Sequence, residues 1–140
     1  QKHYTKELNK LQLKMNFDVG FFIPQDDSVR LLRNIVEEMD FSKVYSAYSN
    51  RGRKPVVSPV TMFQIIVYAY MNRIFSSRDI ERACRRDINF MWLLDGQPAP
   101  DHTTINRFRD ERLVEQMEEL LYQFISLLYK HGELQYKNIF

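Results

Sequence analysis

The stretch SPVTMFQIIVYAYMN, residues 58–72, decides the fold that we predict for this chain. Ser58 followed by Pro59 is a typical helix start, because serine caps the first turn and proline suits the first helical position. Apolar residues then occupy almost every position around the helix. A helix that is apolar on all sides is buried, so this segment is predicted to be the central helix of the fold.

The segments on either side also carry the signals of helix starts and ends. The predicted starts lie at Asp26 to Ser28, at Ser42, at Ser76 and at Asp101. The longest helix is expected over residues 113–131, closed by Lys130, His131 and Gly132. After it, LQYKNIF alternates weakly, as a strand would. The prediction is an all-α, compact bundle of about six or seven helices, with a possible strand start at the C-terminal end.

Composition excludes several classes of protein. The chain of 140 residues is the size of one domain and is 44% apolar, which indicates a globular fold. Cys84 is the only cysteine and the three histidines are scattered, so neither a disulfide nor a metal site is expected. The longest apolar runs are too short to span a membrane. We therefore expect a cytoplasmic protein with no membrane partner.

The distribution of charge is more informative than the net charge of +2. Residues 51–112 hold eleven arginines and lysines against seven carboxylates, a net charge of +4. On a helix starting near Ser77, a row of arginines lies opposite Ile80 and Cys84; its members are Arg78, Arg82 and Arg85, with Arg86 at the edge. Two interpretations stay open. The row is either a solvated face neutralised by Asp79 and Glu81, or a binding site for phosphates.

The stretch PDHTTINRFRDER, residues 100–112, makes a second candidate site. Helical spacing turns Ile105 and Phe108 inward and three polar residues outward; these are Thr103, Asn106 and Arg107, types that contact base edges or phosphates. His102 and free amides of the first turn are expected to attract anions. Arg109 and Arg112 lie nearer the packed side, where they are expected to pair with acids. The alternative is an ordinary capped surface helix.

Three other features are weaker candidates. The connector RGRKP, with Arg51, Arg53 and Lys54, is either a basic arm for a minor groove or a solvated loop. Trp92, with Phe90 and Met91, is interpreted as core rather than as a base-stacking platform. Cys84 is expected to be a small buried hydrophobic residue.

Five motifs occur in a fixed order along the chain; they are FFIPQDDSVR, GRKP, SPVTMFQIIVYAYMN, SSRDIERACRRDINFMWL and PDHTTINRFR. Together they resemble the N-terminal domain of bacterial insertion-sequence transposases of the DDE, RNase H-like type. The resemblance covers roughly residues 16–140. It implies a helical, DNA-associated domain, with an N-terminal extension over 1–15, the helical domain over 16–132 and the start of a truncated catalytic domain over 133–140.

In such transposases the first catalytic aspartate follows a segment like YKNIF, and this sequence stops at Phe140. No catalytic residue is therefore carried over, and the chain is expected to be an inactive fragment of a longer protein. A divalent metal is expected only in the missing catalytic domain, so no cofactor is assigned to this chain.

The connection between the two candidate helices differs from that of a simple helix-turn-helix DNA-binding protein. A helix-turn-helix joins its helices by a turn of about 3–4 residues, but INFMWLLDGQPAP separates the two candidate helices here. Either an extra buried helix elaborates the turn, or the pair is not a helix-turn-helix.

Two functions from different classes follow from the sequence. The first is recognition of the DNA ends of a mobile element for transposition. The second is a dimerisation or assembly scaffold, in which the wide apolar face of the helix over 113–131 packs on a second copy or on the catalytic domain of the same polypeptide.

Overall fold

The computed structural model describes residues 18–48 and 56–139, without the side chains of 47–48 and 133–139. Seven α-helices are formed by these residues; they are α1 (Ser28–Glu37), α2 (Ser42–Tyr48), α3 (Pro59–Met71), α4 (Ser77–Arg86), α5 (Ile88–Leu94), α6 (His102–Arg107) and α7 (Met117–Ile139). A 3₁₀ turn at Val19–Phe22 precedes α1, and a π-helical turn at Phe108–Leu113 follows α6. The described residues contain no strand, so the predicted all-α class is confirmed.

Side-chain caps fix most of the helix starts that the sequence predicts. Asp27 accepts a hydrogen bond from the Val29 amide at the start of α1. The caps Ser58, Ser76 and Asp101 accept the amide of the third residue after them at 3.2, 3.1 and 2.8 Å. Ser42 is not a cap, because it already belongs to α2 and donates its amide to Asp40. The caps are local interactions, and local sequence was sufficient to predict most of them.

Helix α3 lies at the centre of the fold, as predicted, and packs against α1, α4 and α5. Phe63 on α3 is fully buried, and its ring meets Phe41 and Phe124 edge-on with centroids 5.4 and 6.5 Å apart. Phe41 precedes α2 and Phe124 belongs to α7. The central helix therefore joins the first and last parts of the described chain through one aromatic cluster.

Trp92 on α5 joins three segments. The guanidinium of Arg33 on α1 lies 3.6 Å from the centre of its indole ring and donates a hydrogen bond to the Trp92 carbonyl. A Cβ atom added at Gly20, in the 3₁₀ turn, would lie 2.9 Å from the indole nitrogen. Only glycine fits there without displacement. Trp92 is half-buried with one face covered by an arginine, so it is a packing residue, as predicted, and not an open platform for a base.

The C-terminal helix differs from its prediction. Helix α7 continues through Gly132 to Ile139, so Gly132 does not end it and LQYKNIF does not begin a strand. One glycine costs a helix only about 1 kcal/mol, and most of the residues that follow it are good helix formers; these are Glu133, Leu134, Gln135 and Lys137. A strand also needs a neighbouring strand for its backbone hydrogen bonds, and none exists among the described residues.

Candidate nucleic-acid interface

Helix α4 presents a row of arginines to solvent. Its apolar side, with Ile80 and Cys84, is buried in the core, and the opposite side carries four exposed arginines. We call these the α4 arginine face; its members are Arg78, Arg82, Arg85 and Arg86. They line a shallow hollow of about 230 Å³ together with Glu81. The structure therefore places all four residues on the predicted side of the helix.

Two carboxylates on α4 lie beside this face. Arg82 contacts Asp79 at 3.3 Å and Arg85 approaches Glu81 at 3.9 Å. Both arginine side chains are about 60% exposed, and ion pairs in such positions contribute only about 0–1 kcal/mol. The carboxylates reduce the repulsion between the arginines but hold them weakly. An incoming phosphate can displace these contacts at little cost.

Arg73 is a further cation of the candidate site, and the sequence alone did not mark it as a site residue. It follows α3 with a φ of 61°, and the Ile74 amide donates to the Ala69 carbonyl while the Arg73 amide donates to the Tyr70 carbonyl. This pair of bonds is a Schellman motif, in which the left-handed position normally holds glycine. Arg73 also shares a hollow of about 330 Å³ with Arg82 and other α4 residues. An arginine at a position that favours glycine is strained, and such strain points to a role for its side chain.

Arg73→Gly is expected to raise the free energy of unfolding by about 1 kcal/mol, because glycine adopts a left-handed conformation without the steric cost that arginine meets. Chemical denaturation of both proteins measures this difference. Arg82→Gly is a control in the opposite direction, since glycine in the interior of an exposed helix destabilises it by about 1 kcal/mol. A destabilised Arg73→Gly protein would show that the arginine side chain stabilises the turn.

The start of α6 is already occupied by carboxylates. The His102 amide donates to Glu81 Oε1 at 3.0 Å, and the Thr104 amide donates to the Asp101 carboxylate. The Thr104 bonds lower the pKa of Asp101. His102 Nδ1 lies 3.5 Å from the same Glu81 oxygen. The prediction of free first-turn amides for an anion is therefore wrong; Glu81, from a neighbouring helix, takes that position.

The outer face of α6 is arranged as the helical spacing predicts. Ile105 and Phe108 are buried, and the predicted contact residues are exposed to solvent; they are Thr103, Asn106 and Arg107. We call these three residues the α6 outer face. Exposed amide, hydroxyl and guanidinium groups on one short helix can donate to base edges or phosphates.

Arg109 has different partners from those predicted. It donates to the Tyr70 hydroxyl at 3.2 Å, the Phe75 carbonyl at 2.8 Å and the Asn106 side-chain oxygen at 2.8 Å. The expected pairing of Arg109 with an acid is therefore wrong. Its role is to connect the end of α6 with the turn before α4, and it also fixes the orientation of the Asn106 amide.

The two faces adjoin each other. Helix α4 packs directly against α6. Glu81 links Arg85 with the start of α6, while Arg109 links the end of α6 with Phe75, just before α4. The helices therefore run antiparallel, and Glu81 brings Arg85 of the α4 arginine face next to the start of α6.

The connection between these helices is not that of an ordinary helix-turn-helix. Helix α5 and residues 95–101 separate α4 from α6, and α4 packs against both α5 and α6. The extra helix that the sequence analysis considered is therefore present, in place of a short turn. Phe90 on α5 is fully buried and Met91 is half-buried, which accounts for the apolar block INFMWLL.

The remaining candidates are the basic connector and Cys84. Arg51, Arg53 and Lys54 lie outside the described residues. Cys84 is buried, and burial raises the pKa of its thiol to about 12, so it stays protonated at neutral pH. The described residues hold no group of three or more potential metal ligands. Within the same ranges, no helix is both long and apolar enough to cross a lipid bilayer.

Comparison with known proteins identifies the class. The chain belongs to the transposase domain family DUF772, which matches residues 17–111. The matched range contains helices α1 to α6, and with them both faces of the candidate interface. Membership of this family indicates a role in transposition. Neither the curated proteins nor the solved structures gave a match.

Proposed function

We propose that this chain binds DNA through the α4 arginine face and the α6 outer face, and that it recognises the ends of a mobile element. The observation that carries the proposal is the adjacency of the two faces, one rich in guanidinium groups and one rich in hydrogen-bonding side chains. Guanidinium groups match phosphate geometry and position a duplex, whereas side chains such as Asn106 distinguish bases. Family membership supplies the role in transposition that such binding serves.

In this proposal the domain is the N-terminal part of a DDE-type transposase. The bundle holds the element end, and a catalytic domain of the same polypeptide performs the strand chemistry with divalent metal ions. The motifs that resemble insertion-sequence transposases support this placement.

Salt dependence tests the phosphate contacts directly. We expect about five cations, Arg73 among them, to meet phosphates, so log K for a labelled 30-base-pair duplex should fall against log salt with a slope near −4 to −5. Fluorescence anisotropy between about 50 and 300 mM salt measures the slope. Arg73→Gly should lower its magnitude by about 0.9. An affinity that does not change with salt would contradict the phosphate contacts. Equal affinity for element-end and scrambled duplexes would contradict recognition of the element ends.

A second candidate function is assembly, and the exposure of α7 favours it. Leu120 and Phe124 face the core, but the adjacent side of α7 and of the turn before it carries an apolar stripe that is 40–74% exposed; its members are Val114, Leu121, Tyr122, Ile125, Leu128 and Tyr129. We call this the α7 stripe. Six exposed apolar side chains along one side of a helix form the kind of contiguous patch that marks a protein contact.

The occupant we propose for the α7 stripe is a second copy of this chain. Glu115 and Glu118 lie near the start of the stripe and Lys130 lies at its end. An antiparallel pair would bring opposite charges together, whereas a parallel pair would bring like charges together. Light scattering over a concentration series tests it: a twofold mass supports the dimer, and a constant monomer mass contradicts it.

A further inference from the structure

Two aromatic side chains, Tyr70 and Phe75, are exposed to solvent at the corner between α3 and α4. Tyr70 is 38% exposed and Phe75 is 60% exposed. Their ring centroids are 5.6 Å apart and the ring planes are tilted by 39°. We call this pair the aromatic corner. Core aromatics of this chain such as Phe63 and Phe90 are fully buried, so the corner is placed differently from the packing residues.

Hydrogen bonds brace the main chain of the aromatic corner and the Tyr70 hydroxyl. Arg109 donates one hydrogen bond to the Tyr70 hydroxyl and another to the Phe75 carbonyl. The Schellman motif at Arg73 fixes the intervening turn, and Ser76 caps α4 immediately after Phe75. The Tyr70 ring and the main chain at Phe75 are therefore in position before any ligand arrives, and the Phe75 ring packs against Tyr70. Such preorganisation reduces the entropy that binding would otherwise lose.

The surroundings of the corner are polar and cationic. Arg109, which braces both aromatic residues, also holds the side-chain oxygen of Asn106 on the α6 outer face. Arg78, three residues after Phe75, begins the α4 arginine face. The corner thus combines exposed ring faces with a fixed amide and nearby guanidinium groups. Single-stranded nucleic acid is bound by this combination, with bases on aromatic rings and phosphates on arginines.

We propose that the aromatic corner stacks on an unpaired base that adjoins the duplex held by α4 and α6. This inference rests on the proposed DNA-binding function and adds a distinct ligand to it, the π-face of a nucleobase. Stacking tolerates any base, so the corner recognises the unpaired state and leaves sequence recognition to the α6 outer face.

The test compares a blunt 30-base-pair duplex with the same duplex carrying a three-nucleotide overhang. The unmodified chain is expected to bind the overhang duplex about 10-fold more tightly, within the roughly 5- to 150-fold range of a single stacked base. Phe75→Ala is expected to abolish most of that difference and to leave the blunt duplex unaffected. A 2-aminopurine in the overhang should lose fluorescence with the unmodified chain and keep it with Phe75→Ala.

Two control variants make the result specific. Phe75→Tyr keeps an aromatic ring and should keep the preference for the overhang. Tyr45→Ala removes an exposed aromatic ring from α2 and should also leave the preference unchanged. Because Phe75 is mostly exposed, its variants should fold, and circular dichroism verifies this.

Each other outcome overturns the inference in a recognisable way. An unmodified chain that binds both duplexes equally contradicts the stacking proposal while DNA binding stands. If Phe75→Ala lowers the affinity for both duplexes equally, the corner contributes to DNA binding in general and does not recognise an unpaired base. Loss of self-association in Phe75→Ala without any change in DNA binding assigns it to a protein contact. If the unmodified chain binds neither duplex, the proposed function itself fails.

Discussion

The double exchange Arg82→Glu with Arg85→Glu is expected to lower the affinity for duplex DNA by about 100-fold or more at low salt. The change replaces two positive charges by two negative ones in the middle of the α4 arginine face. Two phosphate contacts are lost, and two new carboxylates repel the backbone. The magnitude of the salt slope should fall by roughly 2, because about 0.9 counterion is released per neutralised phosphate.

The variant with both exchanges should still fold. Both arginine side chains are about 60% exposed, and their pairs with Asp79 and Glu81 are weak. New like-charge neighbours on α4 cost a few tenths of a kcal/mol each. A matched control applies the same change of charge outside both faces: Lys6→Glu with Lys10→Glu, in the part of the sequence that precedes the family match. The control should reduce affinity only slightly, and equal loss in both double variants would mean that net charge alone drives binding.

Leu121→Glu with Ile125→Glu is expected to convert a dimer of this chain to a monomer. The two side chains lie in the middle of the α7 stripe and are 40% and 60% exposed. In the proposed dimer four carboxylates would be desolvated together near the twofold axis, at a cost of several kcal/mol. The dissociation constant of the dimer should therefore rise by at least about 100-fold. Sedimentation equilibrium measures the change.

Stability distinguishes this effect from simple unfolding. Exposed positions tolerate glutamate, which is a good helix former, so the melting temperature of the monomer should change little. Val56→Glu, at another exposed apolar residue, should leave the mass unchanged. If the double variant keeps the mass of the parent chain, the α7 stripe does not join two copies.

Local features of the fold were predictable from the sequence, and contacts between distant residues were not. Caps such as Ser58, Ser76 and Asp101 act within one turn of their own helix, so the sequence shows them. Helical spacing also separated the buried side of α4 from its arginines. Glu81 at the start of α6 was missed because it lies 21 residues away in sequence from the His102 amide that it binds.

The same distinction between local features and distant contacts holds for the candidate site. Exposure of Asn106 follows from helical periodicity, but its contact with Arg109 depends on how α6 meets the turn before α4. Arg73 could not be assigned, since nothing in its neighbourhood marks a left-handed residue when glycine is absent. On α7, periodicity gave one wide apolar face. Only packing divides it into a half that meets Phe63 through Phe124 and a half that remains exposed.

The position of Trp92 has a practical consequence. It is the only tryptophan of the chain, and it contacts the 3₁₀ turn through Gly20 and α1 through Arg33. Separation of either segment changes the polarity and the quenching groups around the indole. Intrinsic indole emission thus offers a label-free probe of whether the first helix remains docked.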